Sequence, residues 1–267
     1  MLSPAHALRG AGSLPIAPAS AARTVALVGG GGALGSAVLE ALLGTRRFAR
    51  VKVLVSRALT TAMPGLEPVV VDRFDAPPGP ATPPIADTAL LVFDRERRAN
   101  GRELAFVRPQ PRDLPGAARW LHARGVRHLI VLLPHAPATL PDALKRGLAN
   151  LNEQAVAALG FEHLVFVRPA QDAARSVAGS WPQRVADGVL AQLRLMVAAS
   201  NQPVRAPKVA RFVLELAVAL PASAPGTRVA APELVWQAAQ LGDPQALVQA
   251  WLGHRAWPAV VAPPPRL

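Results

Sequence analysis

One stretch limits the possible folds more than any other. Val25-Ala26-Leu27-Val28 is an apolar run of strand length, and it breaks at Gly29-Gly30-Gly31-Gly32. Ala33-Leu34-Gly35 and Ser36-Ala37-Val38-Leu39-Glu40-Ala41-Leu42-Leu43 then carry the apolar spacing of a helix. The next apolar run, Val51 to Val55, completes a β-α-β unit of roughly 30 residues. Gly29, Gly32 and Gly35 stand three apart, and each spacing position has a task. These are a tight turn out of the strand, close approach of backbone to a pyrophosphate, and close packing of helix on sheet. The unpaired N–H groups opening the helix face the anion. Placed between strand and helix, the turn is a dinucleotide signal, contacting its ligand through Gly29, Gly31, Gly32, Ala33, Leu34 and Gly35. Gly32 is the expected point of closest approach, so a Cβ there is expected to block the ligand while sparing the fold.

Composition narrows the chemistry. The chain has 267 residues, about half of them apolar, and no cysteine, so disulfides, thiol catalysis and Cys-ligated metals are excluded. Together with the lack of any run of roughly 18 apolar residues, this fits a cytoplasmic protein without a membrane span. Residues 1–23, rich in Ala, Pro and Ser without a continuous apolar core, read as a disordered tail rather than a signal peptide. The net charge of +12 is carried almost wholly by arginine. Such a balance is one footprint of a nucleic-acid binder. However, the basic clusters at 46–50 and 95–102 lack interleaved aromatic platforms, so nucleic acid is not the expected partner.

Further along, strands are expected at Pro68 to Asp72, Thr88 to Phe93, Val126 to Leu133 and His163 to Val167, with helices over 106–125 and 142–159. This alternation predicts an α/β fold: a doubly wound parallel sheet of Rossmann type, with ligands beyond the carboxyl ends of its strands. From about 170 the pattern turns mainly helical, over 185–199, 208–220, 232–241 and 243–252, with a short strand at 227–230. Residues 24–256 are thus expected to form one nucleotide-binding domain with a small helical C-terminal portion, and 257–267 a Pro-rich tail.

The order of pieces resembles the atypical short-chain dehydrogenases, the extended NAD(P)-binding Rossmann superfamily, in the NmrA-like and Tat-interacting-protein-like branch. The likeness rests on the glycine turn and on Phe106-Val107-Arg108 leading into Gly125-Val126-Arg127-His128. It continues through Ala158-Leu159-Gly160-Phe161-Glu162-His163, Val167-Arg168-Pro169 and Pro207-Lys208-Val209-Ala210-Arg211, spanning residues 24–240. The resemblance implies a serine after strand five and a Tyr-x-x-x-Lys pair on the next helix, the lysine lowering the tyrosine's pKa for proton transfer. This chain has no tyrosine; Leu133-Pro134 stands in the serine's place, and the matching helix reads Leu144-Lys145-Arg146-Gly147-Leu148. Where the family favours a small Gly-containing turn after strand four, the chain has Phe93-Asp94-Arg95, whose bulk crowds a cofactor.

After strand two come Ser56 and Arg57, where an acidic residue would bind an NAD ribose. An arginine suits the 2′-phosphate of NADP instead, which makes NADP the expected cofactor; Asp72 is placed to border the adenine. No histidine pair has H-x-x-x-H spacing, so no metal site is expected. His135 is a loop histidine near the substrate side. Ser180 lacks a nucleophile elbow; the five tryptophans read as packing residues, with Trp181 and Trp236 lining a pocket if the C-terminal helices fold over the sheet edge. Three functions remain: a non-catalytic or weakly catalytic dinucleotide-binding protein in sensing, assembly or scaffolding; an NADPH-dependent oxidoreductase of a small carbonyl with a non-standard proton donor; and a basic protein binding nucleic acid or an acidic partner.

Overall fold

The computed structural model describes residues 23–59, 63–71, 73–74, 83–94, 105–134, 147–148, 150–170 and 204–255. Asp72, His135, Ser180, Trp181, the helix expected over 185–199 and both tails lie outside them. The elements run β1 (Thr24–Val28), α1 (Gly32–Gly44), β2 (Arg50–Val55), β3 (Leu66–Val70), β4 (Thr88–Val92) and α2 (Leu114–Ala123). They continue with β5 (His128–Leu132), α3 (Leu151–Ala157), β6 (His163–Val167), α4 (Ala206–Ala219), β7 (Gly226–Ala230), α5 (Pro232–Gln240) and α6 (Gln245–Leu252).

The strands form one parallel sheet in the order β3-β2-β1-β4-β5-β6-β7. The expected doubly wound architecture is therefore present, and the short strand near residue 227 is its seventh member. The central strands β4, β5 and β6 are buried at every position and apolar at all but the first, because helices cover both faces. Val25, Leu27, Leu90, Ile130 and Val165 pack under α1, α4, α5 and α6. Ala26, Leu91, Leu129 and Phe166 pack under α2 and α3. Pro68 falls in β3, where the edge position leaves no ladder bond for its missing N–H to break.

The helix expected over 106–125 starts later than the apolar spacing suggested. Val107 N–H donates to the Leu54 carbonyl at 3.2 Å, and Phe106 bridges antiparallel to Val55. This pairing holds the backbone extended there, and a 3-10 turn at Pro111–Asp113 leads into α2. Of the helix expected over 142–159, residues 151–157 are helical, begun by Asn150, whose side chain accepts from the Glu153 N–H at 3.0 Å.

Candidate functional site: a glycine turn with a carboxylate in it

Gly29 and Gly35 meet the two steric tasks read from the spacing, a tight turn and close helix packing. Gly29 leaves β1 at φ +87°, a left-handed conformation, and a Cβ on it would strike the Val92 carbonyl of the neighbouring strand. A Cβ on Gly35 would strike the Gly29 carbonyl, so α1 rests directly on the turn. A Cβ on Gly32 would stand 2.5 Å from the Asp94 Oδ2 atom. The neighbour at the position of closest approach is thus an acidic side chain of the same chain.

The helix needs such a neighbour. Gly31 is the N-cap of α1 and has no side chain to offer, and no acidic residue falls in the first turn. Leu34 occupies the third helical position, whose N–H an N-cap side chain ordinarily satisfies. Here the Leu34 N–H donates to Asp94 Oδ2 at 2.7 Å, across 60 residues of sequence. The register accounts for the meeting. Val28 pairs with Leu91, so the chain leaving β4 passes level with the glycines three residues on, at Asp94. The cradle fits an anion, by its N–H groups and by the dipole of α1. The anion present is a carboxylate of the chain itself, that of Asp94.

The neighbouring part of the cleft is lined by the same connection. β1 turns away after Val28 while β2 runs on to Val55, which leaves β2 with an open edge on that side. Residues 105–107 take that edge. Ser56 N–H and Oγ both donate to the Ala105 carbonyl, at 2.8 and 3.2 Å. The Phe106 ring lies 3.0 Å from where a Cβ of Gly30 would be. Ser56, expected to face a cofactor, is thus tied to Ala105, and both it and Arg57 are exposed beyond the end of β2. Gly32 has φ +79°, so a residue with a Cβ is strained there and meets the end of the Asp94 side chain; a substitution at Gly32 therefore carries a backbone cost of its own.

A second polar cluster lies at the opposite end of the sheet, and the sequence reading missed it. His128 and His163 are register partners at the first positions of β5 and β6, with Nδ1 atoms 2.9 Å apart. Burial, and next the neighbouring His163, push the His128 pKa down. Glu162 stands beside them and is paired with Arg127. The available signal was the matching of Arg127-His128 with Glu162-His163 at the starts of consecutive parallel strands, which no search for helical H-x-x-x-H spacing detects. A third polar pair is buried between α3 and the end of β6, where Arg168 Nη2 meets Glu153 Oε2 at 2.6 Å.

Strand order and glycine turn together define the class: an α/β fold of Rossmann type, a seven-stranded parallel sheet with helices on both faces. No family model matches the chain, and no curated protein matches it. Solved structures similar to it include the Bordetella bronchiseptica enzyme WbmH in complex with NAD+, at 17% identity and TM-score 0.42, covering 80% of this chain and 79% of that one. A UDP-N-acetylglucosamine 4-epimerase from Bacillus cereus is similar at 14% identity and TM-score 0.41, covering 78% of each chain. A short-chain dehydrogenase/reductase superfamily protein from Agrobacterium tumefaciens with bound NAD is similar at 18% identity and TM-score 0.40, covering 78% of this chain and 77% of that one. The class itself rests on strand order and turn, not on these likenesses. Among the described residues no helix is long and apolar enough to cross a membrane.

Proposed function

We propose that this chain is a dinucleotide-binding protein of Rossmann type, non-catalytic or weakly catalytic, in which Asp94 guards the pyrophosphate seat. The observation that carries this reading is the hydrogen bond from the Leu34 N–H to the Asp94 carboxylate inside the glycine turn. A dinucleotide enters by displacing that side chain, a rotation at the mouth of the turn that leaves the sheet untouched. The apparent affinity is then lowered by the fraction of molecules in which the seat is filled. Arg57, exposed after β2, favours NADP over NAD through its match to a 2′-phosphate. The missing tyrosine and the apolar Leu133-Pro134 leave the usual proton-transfer positions without an acid or base. This supports a sensing, assembly or scaffold role in the cytoplasm over turnover. Calorimetric titration of the full chain with NADPH and NADH, followed by a panel of carbonyl substrates, tests the reading. NADPH binding without turnover is expected, and robust turnover overturns the non-catalytic assignment.

A second reading has its own observation. A cavity of about 490 Å³, beside the end of β3 and the start of α2, is lined by Arg73, Arg112 and Arg119 together with one carboxylate, Asp113, which pairs with Arg112. In a chain of charge +12 this cleft favours an acidic partner. Binding to a polyanion that weakens steeply with salt would support that role, and salt-insensitive behaviour would remove it.

A further inference from the structure

We propose that His128, His163 and Glu162 form a binding site for a divalent transition cation of the zinc type, at the base of the sheet and separate from the glycine turn. All strands are parallel, and both histidines open their strands. The site therefore lies at the edge opposite the one where β1 runs into the turn.

The donor atoms and their supports carry the argument. The ligand atoms of the three residues lie within 4.8 Å of one another. His163 is fully buried, and its Nε2 lies 3.1 Å from the Ser223 carbonyl. A carbonyl only accepts, so Nε2 carries the proton and Nδ1 is left bare, facing His128 Nδ1. A ring nitrogen anchored on a backbone carbonyl while the other nitrogen turns inward is how proteins orient a metal-ligating histidine. Glu162 is arranged likewise. Arg127 holds its Oε2, while Oε1 stands 3.9 Å from His163 Nδ1. Zn–N bonds of about 2.0–2.1 Å put tetrahedral ligand nitrogens about 3.3 Å apart. The pair, at 2.9 Å, needs to open by about 0.4 Å to reach that separation. Two imidazoles and one carboxylate suit zinc, cobalt or nickel, and the partly exposed Glu162 side leaves room for water as a fourth ligand. Such an ion would tie β5 and β6 together and, through Ser223, the turn that follows α4.

The test is calorimetric titration of metal-stripped, full-length protein with Zn²⁺ near neutral pH, with Co²⁺ as a spectroscopic probe. One saturable equivalent is expected, with visible Co²⁺ bands of a tetrahedral or five-coordinate site. Glu162→Gln, on a partly exposed residue, is expected to weaken Zn²⁺ binding about tenfold or more. His128→Gln is expected to abolish the Co²⁺ bands. No saturable binding to the wild-type chain overturns the proposal. So does a Zn²⁺ isotherm that Glu162→Gln leaves unchanged, a readout that stands even if His128→Gln fails to fold.

Discussion

Replacing Asp94 with alanine is expected to make the protein less stable and a tighter dinucleotide binder at once, by related amounts. The carboxylate accepts the N–H of the third helical position of α1, for which Gly31 supplies no cap. Losing an N-cap side chain costs about 1 kcal/mol, and losing a negative charge at a helix N-terminus costs about 0.3–1 kcal/mol more. A loss near 1.5 kcal/mol follows, which in a protein of this size lowers the Tm by about 3–6 °C. A pyrophosphate entering the turn must displace that same interaction. Its removal returns a similar free energy to the ligand, and about 1.4 kcal/mol is tenfold in Kd. Tenfold is a lower limit, since the variant also removes a negative charge facing the phosphates. Asp94→Asn separates the two contributions. Its amide oxygen can still accept from Leu34, so stability falls little, while the lost charge still tightens binding. Thermal melts and NADPH titrations on the same three proteins make the assay. An Asp94→Ala variant that melts lower yet binds NADPH no more tightly would refute the claim that the carboxylate sits in the ligand's place.

Gly35→Ala is expected to cost about 3 kcal/mol or more, because the new Cβ strikes the Gly29 carbonyl and pushes α1 off the turn; urea unfolding measures it, and a near-parental midpoint would contradict the packing described. Glu153→Ala leaves Arg168 charged and buried without this partner, at a cost of about 3–5 kcal/mol, whereas replacing both by apolar residues of similar volume restores most of the loss. Chemical denaturation of the single and double variants distinguishes this from a packing defect, in which the second change would add to the first. Arg57→Ala is expected to erase the NADP preference while leaving NAD binding in place, read by parallel titrations of the two cofactors; unchanged NADP affinity would remove Arg57 from the site.

The sheet was readable in the sequence because strands covered on both faces need uninterrupted apolar runs. Those runs, from Val25 to Val28 through His163 to Val167, are cut at Gly and Pro. The glycine turn was readable for a related reason: Gly29 and Gly32 take left-handed backbone conformations, and Gly35 answers a steric demand made by Gly29, six residues before it. Phe106 misled the reading, since apolar spacing reports which side chains are buried and not what buries them. A segment completing the open edge of β2 keeps Phe106 inward as well as a helix would. Asp94 and the pair His128–His163 show the harder limit. Their partners arrive from adjacent strands, so what matters is register, and register is written in no local pattern. In the sequence, Phe93-Asp94-Arg95 reads as bulk near a cofactor. Its chemical meaning emerged only once the pairing of Val28 with Leu91 carried the carboxylate level with a helix that has no cap of its own. A helix start without a cap is itself a signal: a buried N–H at Leu34 must find an acceptor somewhere. In a doubly wound sheet the chain leaving the next strand is the nearest source of one.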